Sequence, residues 1–268
     1  MNAFDYQRPT KLAEAVSALE AAADGRALAG GQSLLPTMKL GLAAPELLVD
    51  LSRVEGLHGI SVTADKLRIG AMTSHAAVAA SVEVRAAIPA LAHLAGGIGD
   101  PAIRERGTIG GSLATNDPAA CYPAALLALN AVVHTDRRAI AADEFLLGLY
   151  QTALENGELI TAVEFPIPAK AGYQKFLQPA SRFALVGVFL AKHADGVRVA
   201  ATGAAACAFR VTPLEKALAA DWSAASSRAV TIAPDGLNGD LHGSASYRAH
   251  LIPILAARAV EQADAYAS

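Results

Sequence analysis

Two short runs hold the residue types best suited to gripping a ligand. The first is Ala29–Gly30–Gly31–Gln32–Ser33, followed by Leu34. The second is Thr108–Ile109–Gly110–Gly111–Ser112, which continues through Asn116 to Asp117–Pro118. Each sets two adjacent glycines beside hydroxyl side chains. Glycine lets a backbone approach a ligand with no Cβ in the way. Successive N–H groups at such a turn make a cradle for an anion. Two such loops in one chain suit a long anionic ligand with a pyrophosphate in its middle. Spacing alone leaves two unrelated tight turns as the alternative. Neither loop fits G-x-G-x-x-G, and no Gly-Lys-Ser/Thr follows the first, as a P-loop requires.

Other chemistries lack their residues. The seven histidines, at 58, 75, 93, 134, 193, 242 and 250, show no metal-ligand spacing. There is no G-x-S-x-G and no evident nucleophile–base pair, so hydrolysis has no support. Only two cysteines are present, Cys121 and Cys207. They exclude a disulfide framework, a four-thiolate zinc site and a four-cysteine iron–sulfur cluster. The sequence offers neither a catalytic side chain nor a metal site.

The elements that must position the two loops can be read in outline. The first fifty residues read as a β–α–β unit. Leu12, Ala15, Val16 and Leu19 recur at helical spacing, with Thr10 as N-cap. Arg26 to Ala29 reads as a strand, Leu34 to Leu42 as a short helix, and Glu46 to Leu51 as the next strand. Residues 58–63 and 66–71 read as a hairpin turning at Ala64–Asp65. Helical spacing runs from Ala76 to Ala95. A glycine-rich stretch follows, through Gly111, and reads as irregular and functional. Strands are expected at Leu159–Phe165, Tyr173–Leu177, Phe183–His193 and Val197–Phe209, the last two as a buried hairpin. Ser246 to Ala265 reads as an amphipathic helix. A composition shift at Pro166–Ile167–Pro168 marks the expected domain boundary.

Length and composition bound the rest. The 268 residues suit one large domain or two smaller ones. A formal charge of −3 argues against a nucleic-acid groove or a polybasic membrane patch. Hydrophobic residues are 53% but aromatics 5%, because alanine dominates; the core is ample and global disorder is excluded. No run reaches 18 uninterrupted apolar residues, so no transmembrane helix is expected. The start, MNAFDYQRPTKL, has no basic and apolar leader pattern, which predicts a reducing cytoplasm as the compartment.

Taken together, AGGQSLLPTMKL and IRERGTIGGSLATNDPAA resemble the FAD-binding medium subunit of molybdenum hydroxylases. That family includes the medium subunit of aerobic carbon monoxide dehydrogenase and the FAD domain of xanthine dehydrogenase. FDYQRP, GELITAVEFP, YQKFLQPASRFALVGV and GSASYRAHLIPILAARAV stand in the order that family uses, so the resemblance covers nearly the whole chain. It implies an α+β fold. A two-subdomain FAD-binding domain of the vanillyl-alcohol oxidase/p-cresol methylhydroxylase type would fill residues 1–168, with subdomains of about 1–55 and 56–168. A smaller C-terminal α+β domain, an antiparallel sheet with helices, would fill 169–268.

The resemblance also implies roles. Ala29, Gly30, Gly31, Gln32, Ser33 and Leu34 would hold the FAD pyrophosphate. Thr108, Ile109, Gly110, Gly111 and Ser112 would add backbone N–H groups and two hydroxyls. Ile98 and Ile160 match positions that pack on the cofactor, with ordinary core residues as the alternative. Lys175 and Arg182 flank the stretch that reaches the flavin, where a cation would stabilise the anionic reduced ring. Relatives usually continue the second motif as DPAAD; here Cys121 stands at the final acid, so either Asp117 or a water takes its role or cofactor affinity is lower. The implied function is an FAD-containing electron-transfer subunit, an oxidoreductase component. Its partners would be an iron–sulfur small subunit with 2Fe–2S clusters and a large subunit with molybdopterin, arranged as a dimer of heterotrimers (a heterohexamer). Some relatives insert an iron–sulfur cluster in the flavin subunit, which two cysteines cannot hold. The alternative is a non-catalytic nucleotide-binding or scaffold subunit that has lost the flavin.

Overall fold

Three sheets of three to five strands succeed one another along the chain in the computed structural model, which describes residues 2–267, and Leu146–Gly148 with Gln151–Thr152 add a two-stranded ribbon. The first is parallel, with strands Asp5–Gln7, Leu47–Asp50 and Gly25–Leu28 in that spatial order. Its central strand reads LLVD and is buried through Val49, as a strand covered on both faces should be. Helix Leu12–Ala21 supplies Ala15 and Leu19 to the same small core. The expected β–α–β unit is present, but it gains an edge strand at Asp5–Gln7. Thr10 is not the helix cap: Lys11 holds that position without a side-chain cap bond.

The second sheet is antiparallel and five-stranded: Ile60–Val62, Lys66–Gly70, Ile160–Pro166, Val132–Thr135 and Ala139–Ala141. Ile69 pairs with Val163, and Val163 with Val133, which fixes an apolar row across the middle. Helices cover that row. The helical run expected from Ala76 to Ala95 divides into His75–Ala80, Val82–Ala87 and Pro89–Gly96. Ser81 breaks the first junction by turning extended and capping Val84 N–H with its hydroxyl. Pro89 breaks the second, since the residue before a proline avoids the helical region. The stretch expected to be irregular also folds into helices, Pro101–Arg106 and Ile109–Thr115. Each opens on a side-chain cap, Asp100 and Thr108, a signal that the glycines obscured.

The third sheet is an antiparallel meander of Lys170–Leu177, Ala184–His193, Gly196–Thr202 and Phe209–Arg210. The buried hairpin turns where expected, although Val197–Phe209 is interrupted after Thr202. Strand Ala184–His193 is buried at eight successive positions because both faces are covered. On one side lie helices Ala245–Ala267 and Thr212–Ala220. On the other lies helix Tyr122–Ala128, whose residues share a core with Tyr173, Phe189 and Val163. No helix among the described residues is long and apolar enough to cross a membrane.

Candidate cofactor site

The first glycine loop leaves its strand after Leu28 and runs directly against the second. A Cβ on Gly30 would lie 2.1 Å from the Arg106 carbonyl oxygen and 2.7 Å from the Gly107 Cα. No side chain fits there, so the contact between the loops requires glycine. Gly31 has φ of +70°, the left-handed region that favours glycine. The turn leaves its donors open. Gln32 Nε2 donates to the Gly30 carbonyl at 3.1 Å. Among the described residues, however, no protein acceptor takes the backbone N–H of Gly31, Gln32 or Ser33.

The second loop is differently committed. Ile109 N–H donates to the Thr73 carbonyl at 3.2 Å and Gly110 N–H to the Ala71 carbonyl at 2.9 Å. Gly111 N–H donates to the Thr108 hydroxyl at 3.1 Å and Ser112 N–H to the Thr108 carbonyl at 3.0 Å. The expected second set of free backbone donors is therefore absent at these four residues. They begin a helix docked on the second sheet. What remains available is the Thr108 N–H, its hydroxyl hydrogen and the Ser112 hydroxyl.

Between the loops opens a cleft of about 480 Å³. Ala29, Gly30, Gly31, Gln32, Ser33 and Leu34 of the first loop line it, as do Thr108, Gly110, Gly111 and Ser112 of the second. Ile98, Asp117, Ile160 and Lys175 line it too. Ile109 is the exception: it is fully buried in the central core and does not border the cleft. The structure thus brings fourteen of the fifteen expected residues to one cavity.

Lys175 reaches it from the third sheet. Its ammonium donates to the carbonyls of Gly97 at 2.7 Å and Arg182 at 3.0 Å, and lies 3.6 Å from Cys121 Sγ. Three acceptors match its three donors, so it offers a fixed charge rather than a free hydrogen bond. Arg182, with φ of +62°, is held in its left-handed conformation at that carbonyl. Cys121 is buried, borders the cleft and faces the buried Tyr173, whose hydroxyl is pushed well above its ordinary range by burial and then by Cys121. Asp117 Oδ1 accepts from Ala119 N–H at 2.8 Å, and Oδ2 accepts from the Tyr150 hydroxyl at 3.3 Å.

The lining charges favour an anion. Arg26, Lys175 and Arg182 face Asp117 and Glu158. Glu158 is neutralised in place: Arg138 grips both its oxygens at 3.0 and 2.9 Å, and Thr135 and Glu155 N–H also donate to it. The Arg138 hydrogen bonds, opposed by burial and helped by the others, pull its carboxyl down to about 2. His75, which also borders the cleft, is pushed down to about 4 by burial and by the nearby Arg104.

Residues 2–168 match the family described as the FAD binding domain in molybdopterin dehydrogenase. The chain belongs to this family. It is 35% identical to the nicotine 6-hydroxylase medium subunit of Paenarthrobacter nicotinovorans, over 98% of each chain. It is 34% identical to the carbon monoxide dehydrogenase medium chain of Hydrogenophaga pseudoflava, over 97% of this chain and 96% of the other. Among solved structures, reconstituted CO dehydrogenase from Oligotropha carboxidovorans superposes with a TM-score of 0.88 at 33% identity, covering 99% of both chains. These relatives are oxidoreductase components, and the α+β architecture is theirs.

Within this FAD-binding family member, a number of cleft residues were not singled out from the sequence, among them His75, Leu154 and Glu158. None belongs to a glycine motif. Leu154 and Glu158 arrive from a turn before the strand Ile160–Pro166, and His75 from the first residue of a helix. Ser74 before His75, an N-cap residue, is the one local signal that could have marked it.

Proposed function

We propose that the chain binds FAD along this cleft and acts as the electron-transfer subunit of a molybdenum hydroxylase complex. Electrons would come from 2Fe–2S clusters of a small partner subunit, fed by a large subunit with molybdopterin, and leave to an external acceptor. When bound, FAD supplies the interchange between one- and two-electron steps. The chain's own residues bind and orient. The open N–H groups of Gly31, Gln32 and Ser33 hold the pyrophosphate, with Ala29, Gly30 and Leu34 shaping the turn. The Thr108 and Ser112 hydroxyls donate from the facing wall, which Gly110 and Gly111 keep low. Ile98 and Ile160 exclude water. Lys175 sets a fixed positive charge in the wall, which favours added negative charge on the ring. Asp117 has lone pairs left for a cofactor hydroxyl. Cys121, which cannot provide a carboxylate, leaves that role to it.

The single observation that carries this reading is the trio of unengaged N–H groups over a cleft that only glycine could form. We propose further that the chain divides after residue 168 into an FAD-binding part, with subdomains of about 1–55 and 56–168, and a C-terminal part, 169–268. The separate sheets support that division, while the shared core of helix Tyr122–Ala128 with Tyr173 and Phe189 keeps the parts together. The assembly would be a dimer of heterotrimers in the cytoplasm. The test is direct. Heat-released ligand from the purified complex should show the absorbance spectrum and chromatographic mobility of FAD at one per medium chain. Its absence from the assembled complex would leave a scaffold subunit without flavin.

A further inference from the structure

We propose that His75 is a hydrogen-bond donor to the cofactor, a role that rests on the FAD reading of the cleft. His75 is 5% exposed and borders the cavity. Neither ring nitrogen has a hydrogen-bond partner among the described residues: Nδ1 is buried, and Nε2 is the nitrogen that keeps accessible surface where the ring borders the cavity. Polar side chains this deeply buried are paired in folded proteins, and Nε2 is the ring nitrogen that a ligand in the cavity can reach. A ring kept only for packing would gain by being apolar, since an unsatisfied buried nitrogen destabilises the chain.

The ring is nonetheless firmly placed. Ser74 caps its helix by accepting from Ala77 N–H at 3.1 Å. His75 N–H donates to the Gly107 carbonyl at 2.9 Å. The imidazole leans on Tyr122 with centroids 5.4 Å apart and planes at 45°. Gly107 lies against the ring: a Cβ there would sit 2.6 Å from Nε2. Gly30 also lies against Gly107. The imidazole therefore borders the cavity beside the point where the two glycine loops meet. There the acceptors of a dinucleotide, phosphate oxygens or hydroxyls, would lie. Burial and Arg104 keep the free ring neutral at pH 7, so it presents one N–H and one lone pair.

Tyr122 is the internal control. Its hydroxyl is equally buried and equally unpartnered, but it does not border the cleft. An orphan that serves no ligand should have no effect on ligand binding.

The experiment titrates FAD into the flavin-free full chain, followed by flavin fluorescence, beside the melting temperature of the flavin-free form. His75→Leu should bind FAD about tenfold to a hundredfold more weakly while melting no lower than wild type. His75→Gln, which restores an amide donor, should recover most of the affinity. Tyr122→Phe should bind like wild type. In the wild-type chain, the His75 ring nitrogen resonances should move when FAD is added. His75→Leu binding at wild-type strength overturns the proposal. So do His75 resonances that ignore FAD, and that measurement decides the matter if the leucine variant fails to fold. A wild-type chain that takes up no FAD at all overturns the cofactor reading instead.

Discussion

The two glycine loops look alike in sequence and differ in what their backbones do. At Gly30–Ser33 the turn leaves successive N–H groups open, those of Gly31, Gln32 and Ser33 among them. At Ile109–Ser112 every N–H is engaged, two of them by the strand end at Ala71–Thr73. On the proposed reading the first loop is a cradle and the second is the wall it faces. A glycine pair signals close approach, but not what approaches. At Gly30 the close neighbour is another loop, at Gly110 it is the sheet: a Cβ on Gly110 would meet the Ala71 Cβ at 2.7 Å and its carbonyl oxygen at 2.8 Å. Only the first loop has a run of successive backbone N–H groups left for an anion.

The strongest way to break this contrast is to add one methyl to each loop. Gly30→Ala puts a Cβ into the Arg106 carbonyl, and backbone must move. We expect FAD retention to fall at least a hundredfold, because the open N–H groups move with it. Gly110→Ala should act on the fold instead. Overpacking of about 3 kcal/mol would lower the melting temperature by about 6–12 °C, with FAD still bound by the molecules that remain folded. Flavin content and thermal unfolding of both variants check the pair. Equal flavin loss at equal stability would erase the distinction between cradle and wall.

A second prediction extends the wall to the strands beside it. Glu158 has its side chain fully buried and its folded value, about 2, lies below the ordinary 4.5. A depressed carboxylate stabilises the fold fully above its unfolded value and loses that contribution as pH falls through the folded one. The window is therefore between about pH 4.5 and pH 2. Within it the chain should lose about 2 kcal/mol, discounted for the half-exposed Arg138. Glu158→Gln should cost a similar amount at pH 7 and flatten the acid limb of the stability curve. Denaturant unfolding at several pH values measures both; an unchanged acid limb in the variant would assign the loss to other carboxylates.

How much of this was legible follows from which residues announce themselves locally. The cradle was legible because glycine pairs with hydroxyls stand between a strand and a helix, and the strand Gly25–Leu28 and helix Leu34–Lys39 fell close to their expected places. Ser81 and Pro89, which divide the long helix, were visible but outweighed by helical spacing on either side. The engagement of the second loop was not legible, because its acceptors at Ala71 and Thr73 lie some forty residues earlier and come near only through the sheet. His75 and Glu158 were hidden for the same reason: their partners, Gly107, Tyr122 and Arg138, are set by tertiary packing. Ile109 was assigned to the site by its motif, yet the helix that begins there turns it into the core.

The smallest expected effect is the most pointed about the two loops. Thr108 is the residue that makes the second loop a wall, since its hydroxyl accepts from Gly111 N–H and so opens the helix Ile109–Thr115. Thr108→Ala removes that cap and should cost about 1 kcal/mol of stability. It also frees the Gly111 N–H beside the cleft, making the second loop more like the first. The hydroxyl lost as a donor to the cofactor is thereby offset by an amide gained, and FAD affinity should change less than threefold, within about 0.6 kcal/mol. Thr108→Ser keeps the cap and should match wild type in both measurements. A fall in affinity of tenfold or more in the alanine variant, with its stability intact, would mean that Thr108 serves the ligand more than the helix, and the second loop would have to be counted as part of the cradle.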